Sequence, residues 1–151
     1  MLSKMNDAAF IAKGFNISTD KELLDFDMIF NYLSGESYWS KGIPVEKVRI
    51  SIANSMCFGV YKDGRQVGFA RVITDKAVFA YLCDVFILEE FRGSGLSKWL
   101  VQTIVAHSEL QGLRRWLLAT ADAHRLYSQF GFEPLNKPDN WMGIYTPFKT
   151  D

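Results

Sequence analysis

The sequence predicts an α/β fold built on a mixed, mainly antiparallel twisted sheet with flanking helices. Three observations carry that expectation. Two apolar runs flank Lys62-Asp63-Gly64-Arg65, and Asp-Gly between such runs is a strong hairpin signal. A nearly continuous apolar run, FAYLCDVFIL at residues 79–88, reads as a central strand buried on both faces. A helical pattern follows it, and then RWLLAT at 115–120 reads as another strand. Strand, helix and strand in that order imply a parallel crossover.

The other elements follow along the chain. FNIST, residues 15–19, reads as a first short strand. In DKELLDFDMIFNYLSG, residues 20–35, Leu24, Met28, Ile29 and Tyr32 recur at helical spacing and Gly35 supplies a stop. ESYWSKGIP is then a loop bearing aromatic residues and glycine. Pro44 suits the start of a second helix, with Val45, Val48 and Ile52 on one face and Asn54 near its end. After the hairpin and the central strand, Leu96, Trp99, Leu100 and Ile104 share one face of a helix that ends near His107. Gly112 sits in the loop beyond it. Asp122 can cap a last helix through Leu126, Tyr127 and Phe130, with Gly131 as its stop. Residues 132–148 contain three prolines and read as one or two short strands with loops.

Composition bounds the function. A chain of 151 residues, 48% hydrophobic and 23% charged, suits one domain, residues 1–151, with a real core. Seventeen basic residues balance seventeen acidic ones, which argues against nucleic acid as the main partner. The N-terminal residues lack a long apolar run, so no signal peptide or membrane span is expected and the default location is cytoplasmic. Cys57 and Cys83 lie in strand-like runs and read as reduced core thiols, with a catalytic thiol as the alternative. His107 and His124 have no zinc-site spacing, so no metal is expected.

The stretch FRGSGLSKWL, residues 91–100, places Gly93, Ser94 and Gly95 at the mouth of a helix. A helix N-terminus presents free N–H groups and partial positive charge, and glycine lets a ligand approach the backbone. With Arg92 at the rim, the arrangement favours a phosphate or pyrophosphate; a tight turn needing small residues is the other reading. No Walker string is present. Gly93-Ser94-Gly95-Leu96-Ser97-Lys98 ends in lysine and does not follow the first strand, so the dinucleotide fingerprint fits poorly.

The run Asp84-Val85-Phe86-Ile87-Leu88-Glu89-Glu90-Phe91-Arg92-Gly93-Ser94-Gly95-Leu96-Ser97 resembles the acetyl-CoA signature of the GNAT superfamily of N-acetyltransferases, a strand followed by [Gln/Arg]-x-x-Gly-x-[Gly/Ala] and a helix. Arg92 and Gly95 match, and Ser97 is a small departure. Ala123-His124-Arg125-Leu126-Tyr127-Ser128-Gln129-Phe130-Gly131-Phe132 is similar to the family's downstream A-x-x-L-Y-x-x-x-G-F segment. The resemblance covers roughly residues 56–135. It implies splayed central strands and acetyl transfer from acetyl-CoA, a co-substrate, to a primary amine with no metal.

By that resemblance, Arg92, Gly93, Ser94, Gly95, Leu96, Ser97 and Lys98 would hold the pyrophosphate. The backbone of Val85, Phe86 and Ile87 would align the pantetheine arm. Tyr127 aligns with a tyrosine that protonates the departing thiolate. Asp84, an acid inside an apolar strand, can take the amine's proton, bind the ammonium, or pair with a buried arginine such as Arg71. His124, three residues before Tyr127, is a second candidate base. Tyr38, Trp39, Tyr81, Phe79 and Trp141 are candidate walls for a small amine with an apolar or aromatic body, and Glu36 can add charge. A non-catalytic acyl-CoA-binding module is the alternative function, and either a monomer or a homodimer is compatible.

Overall fold

The computed structural model describes residues 7–149. Five strands, β1 (Phe15–Ser18), β2 (Met56–Lys62), β3 (Arg65–Thr74), β4 (Phe79–Ile87) and β5 (Arg115–Leu117), form one sheet in sequence order. The first three pairings are antiparallel and β4–β5 is parallel, as the crossover requires. Asp63 and Gly64 both take positive φ, 48° and 87°, the geometry of a two-residue turn that follows the strand twist.

The helices are α1 (Asp7–Ala12), α2 (Phe26–Asn31), α3 (Val45–Ala53), α4 (Leu96–Val105) and α5 (His124–Ser128). Two cores cover the two faces of the sheet. On one face Leu96, Trp99, Leu100, Val101 and Ile104 of α4 pack on Phe58, Val60, Val72, Ala80 and Leu82. Tyr127 of α5 and Phe10 of α1 join this core, and the Phe10 ring stacks on Trp99. On the other face Ile29 of α2, Tyr32, Leu33 and Val48 of α3 pack on Cys57, Phe69 and Phe86.

Several sequence expectations change. The single helix over residues 20–35 is three pieces. Asp20 caps a 3-10 turn at Lys21–Leu23, Asp25 accepts from the Met28 N–H to start α2, and a π turn, Tyr32–Glu36, follows α2. Two acidic caps within one apolar period interrupt it. α1 was not expected. The strand at 115–120 pairs over Arg115–Leu117 only. Among the described residues, 132–149 form no strand, and a 3-10 turn at Pro138–Asn140 is their one regular element.

β4 also departs from the two-sided burial that its run suggests. Phe79, Tyr81, Cys83 and Val85 are only half buried. The β3–β4 register slips between Phe69↔Phe86 and Arg71↔Cys83, so Asp84 and Val85 together oppose Ala70. This is a β-bulge. It reverses the alternation: Ala80 and Leu82 face the α4 core before it, and Val85 and Ile87 face that core after it.

Truncating Leu100, fully buried at the centre of α4, tests the larger core. Leu100→Ala is expected to lower stability by about 2–5 kcal/mol in a urea titration. A loss under about 0.5 kcal/mol would show that α4 does not anchor this face.

Candidate active site

The bulge positions the acid. Asp84 takes φ 54°, the left-handed region that costs most residues energy but that Asp tolerates comparatively well. Its side chain is buried, and each carboxylate oxygen accepts one hydrogen bond. Arg71 Nε donates to Oδ2 at 2.9 Å, and Trp39 Nε1 donates to Oδ1 at 2.9 Å. Arg71 also donates to Ser55 Oγ at 2.8 Å, and Ser55 Oγ donates to the Ser51 carbonyl. One carboxylate thus ties together the floor of β3 and β4, the end of α3 and the loop after α2. Of the alternatives for Asp84, pairing with Arg71 is realised.

Two clefts open around this point. The first, about 370 Å³, is lined by Tyr38, Trp39, Tyr81, Cys83, Asp84 and Tyr127, together with residues 118–123. The second, about 470 Å³, runs along Val85, Phe86 and Ile87 to Arg92, Gly93, Gly95, Leu96 and Ser97. Tyr38, Trp39, Val85, Asp122, Ala123 and Tyr127 line both, so the clefts meet beside the phenol of Tyr127.

The second cleft exists because the strands part. The β4–β5 ladder ends at Tyr81↔Leu117, while β4 continues to Ile87. Among the described residues no strand pairs with 82–87 on their β5 side, and an extended chain can pair there. At the far end Gly93 and Gly95 have φ of 86° and 90°, and Gly95 caps α4. A Cβ added at Gly93 would meet no atom within 4 Å, so the space above this turn is open to a ligand. The geometry suits an anion on the first N–H groups of α4.

Arg92 reaches back from this turn. Its Nε donates to the Ile87 carbonyl and a terminal nitrogen donates to Tyr32 Oη, both at 2.9 Å. The Tyr32 ring stacks on Phe86, centroids 3.8 Å apart. Tyr32 is a groove residue that sequence reasoning assigned only to a helix stripe; the π turn that swings it over Phe86 leaves no sequence signal. The Trp39–Asp84 bond was likewise unforeseen, although both residues were candidates.

Not every candidate converges. Ser94 and Lys98 lie outside the groove lining. His124 lines a separate apolar hollow with Trp116, Phe132 and Leu135. Phe79 is absent from the cleft lining, and Trp141 lies at a different hollow beneath Arg115. The expectation that both were pocket walls is corrected: β4 reaches the cleft only from Tyr81 onward, and the C-terminal residues run past the start of β5. Glu36 lines the second cleft rather than the first. Cys57 is a buried core thiol as expected, but Cys83 faces the cleft. Among the described residues no cluster of His, Cys, Asp or Glu is placed to hold a metal ion, and no helix is long and apolar enough to cross a membrane.

Burial sets the protonation of the cleft's weak acids. Tyr127 is pushed up to about 12 by desolvation, with Tyr38 and Asp122 adding to the shift. Desolvation also pushes Cys83 up to about 12, against the lowering effect of Arg71. Both are neutral at physiological pH.

An open sheet whose parallel pair parts beside a glycine-lined helix mouth is the architecture of acyl-CoA N-acyltransferases. The chain belongs to the GNAT acetyltransferase family, whose model matches residues 26–132. A protein of Gibberella zeae, named as an acetyltransferase by inference, is 32% identical, with 85% of this chain and 84% of the relative covered. A crystal structure of a GNAT-family protein from Xanthomonas campestris pv. campestris is 52% identical, with a TM-score of 0.86 over 88% of this chain and 94% of the other. A GNAT acetyltransferase from Elizabethkingia anophelis with acetyl-CoA bound shares the fold at 13% identity, with a TM-score of 0.60 over 88% and 89% of the two chains.

The raised groups predict alkaline instability. Cys83 and Tyr127 bind protons more tightly folded than unfolded, so stability falls as pH rises. Their contribution is complete below the ordinary values, 9.0 for the thiol and 10.0 for the phenol, and is lost as pH climbs toward about 12. Urea midpoints should decline from about pH 9 upward, and less steeply in Cys83→Ala. An equal slope in that variant would show that the thiol is not shifted by the fold.

Proposed function

We propose that this protein is an N-acetyltransferase that moves acetyl from acetyl-CoA to the primary amine of a small acceptor with an apolar or aromatic body. Both substrates are bound together and the amine attacks directly. The observation that carries the reading is the junction of two clefts at Trp39, Val85 and Tyr127. One cleft has a chain-pairing edge and an anion cradle; the other has aromatic walls and a carboxylate.

Acetyl-CoA supplies an activated acetyl thioester and a thiol leaving group. The N–H groups at Gly93–Leu96 would hold its pyrophosphate, and the uncovered backbone of Val85, Phe86 and Ile87 would align its pantetheine arm. Tyr38, Trp39 and Tyr81 would enclose the acceptor's body and screen the amine from water.

Asp84 would hold the acceptor nitrogen and take its proton, directly or through a water. Each carboxylate oxygen has two accepting positions, and Arg71 and Trp39 each use one. One position on each oxygen remains. The Arg71 charge balances Asp84, so the floor attracts an ammonium less strongly than a bare carboxylate would. That favours release of the neutral amine needed for attack.

Tyr127 is a protonated donor throughout the neutral range. Complete transfer of its proton to a thiolate of ordinary pKa near 8.5 is uphill by roughly 5 kcal/mol. Its role is therefore a hydrogen bond to the sulfur as charge develops, with the proton shed by the amine completing the balance.

Thiol release from acetyl-CoA, measured across compact arylalkyl and alkyl amines, tests the reading. Tyr127→Phe is expected to lower kcat by about 10²-fold with CoA affinity little changed. An undiminished kcat would remove Tyr127 from the chemistry. Tight CoA binding with no release for any amine would replace the enzyme by an acyl-CoA-binding module.

A further inference from the structure

Arg92 stands at the mouth of α4 but directs its donors behind it. The Leu88 N–H donates to the Val67 carbonyl at 2.8 Å. Val67 and Leu88 are therefore a bonded pair, and Gly68 and Ile87 are the unbonded pair beside it. The N–H and carbonyl of Ile87 thus point to the uncovered side of β4. Arg92 Nε donates to that carbonyl, and a terminal nitrogen donates to Tyr32 Oη. A guanidinium presents its donors in one rigid plane, so these two acceptors fix where it lies.

Tyr32 is held from several sides at once. Its ring stacks on Phe86, the Trp39 ring lies 6.4 Å away at 45°, and Oη accepts from Arg92. Burial raises its phenol above the usual 10.0, against the lowering effect of Arg92, so it keeps its proton at neutral pH. A phenol that accepts one bond still has its O–H to donate. Among the described residues that O–H has no acceptor. Tyr32, Phe86, Ile87 and Arg92 line the same groove, so this donor sits beside the edge where an extended chain can pair.

We propose that Tyr32 donates its O–H to an oxygen of the pantetheine arm, and that the Arg92 side chain positions Tyr32 and the Ile87 carbonyl instead of touching phosphate. This assignment rests on the acetyl-CoA reading above and divides the groove's labour. The N–H groups at the mouth of α4 take the anion. The arginine serves the neutral arm, whose amide carbonyls are acceptors suited to a phenol. With the Ile87 carbonyl engaged, the Ile87 N–H is the group that this residue leaves for the arm.

Calorimetric titration with coenzyme A tests the assignment. Tyr32→Phe is expected to weaken binding about fivefold, the usual weight of one neutral hydrogen bond. Arg92→Lys keeps a cation that a phosphate could use but loses the planar fork, and is expected to weaken binding about 5–10-fold. The double variant should bind about as weakly as Arg92→Lys alone, because both changes remove one arrangement. Phenylalanine keeps the stacked ring, so Tyr32→Phe decides the matter if Arg92→Lys fails to fold. Full affinity in Tyr32→Phe would overturn the proposal. So would near-full affinity in Arg92→Lys, which would place the cation on phosphate, and so would losses that multiply in the double variant. An unaltered chain that binds no coenzyme A would sink the acetyl-CoA reading and this assignment with it; the other results arise only in a chain that binds.

Discussion

The contact between Arg71 and Asp84 is the constraint on which the site depends. Asp84 sits at a left-handed bulge position that glycine would occupy with less strain. Glycine would supply the turn but not the anchor. The carboxylate accepts from Arg71 on the neighbouring strand and from Trp39 on the loop after α2, and Arg71 in turn holds Ser55 at the end of α3. Without the carboxylate a buried guanidinium would lack its partner, a situation that costs about 3–5 kcal/mol in buried pairs. Strain at one residue is thereby tolerated because three elements need its side chain.

The bulge has a second consequence, in packing. By reversing the alternation of β4 it lets one strand serve the α4 core on both sides of the kink, through Ala80 and Leu82 and then through Val85 and Ile87. Tyr81 and Cys83, before the bulge, line the cleft, and Phe86, after it, enters the opposite core under Tyr32. A bulge also sharpens the local bend of its strand. Beyond Tyr81↔Leu117 the two parallel strands no longer pair, and the groove begins there. The bulge and the end of the parallel ladder thus lie within a few residues of each other on β4.

This explains what could be read from the sequence and what could not. The hairpin was legible because Asp63-Gly64 demands a particular turn. The α4 face was legible because its apolar spacing is regular, and the tight turn at its mouth because Gly93 and Gly95 mark positions of positive φ. The bulge was not legible: FAYLCDVFIL is apolar on both phases, so a reversal of alternation leaves no trace in its pattern. For the same reason Cys83 looked like a core residue. The division of residues 20–35 turned on Asp20 and Asp25 acting as caps, which local pattern alone ranks below the apolar period.

The placement of Cys83 bears on how the acetyl group travels. A thiol in the acceptor cleft invites a two-step route in which the protein is acylated first. That route needs a thiolate, since the thiol is a poor nucleophile. Burial pushes Cys83 up to about 12, outweighing the lowering effect of the Arg71 guanidinium, and the Asp84 carboxylate adds to the rise. At neutral pH the thiol is therefore protonated. The same paired floor that keeps the thiol protonated leaves accepting positions on Asp84 for an amine. The protonated thiol argues against a covalent relay and is consistent with the direct attack proposed above.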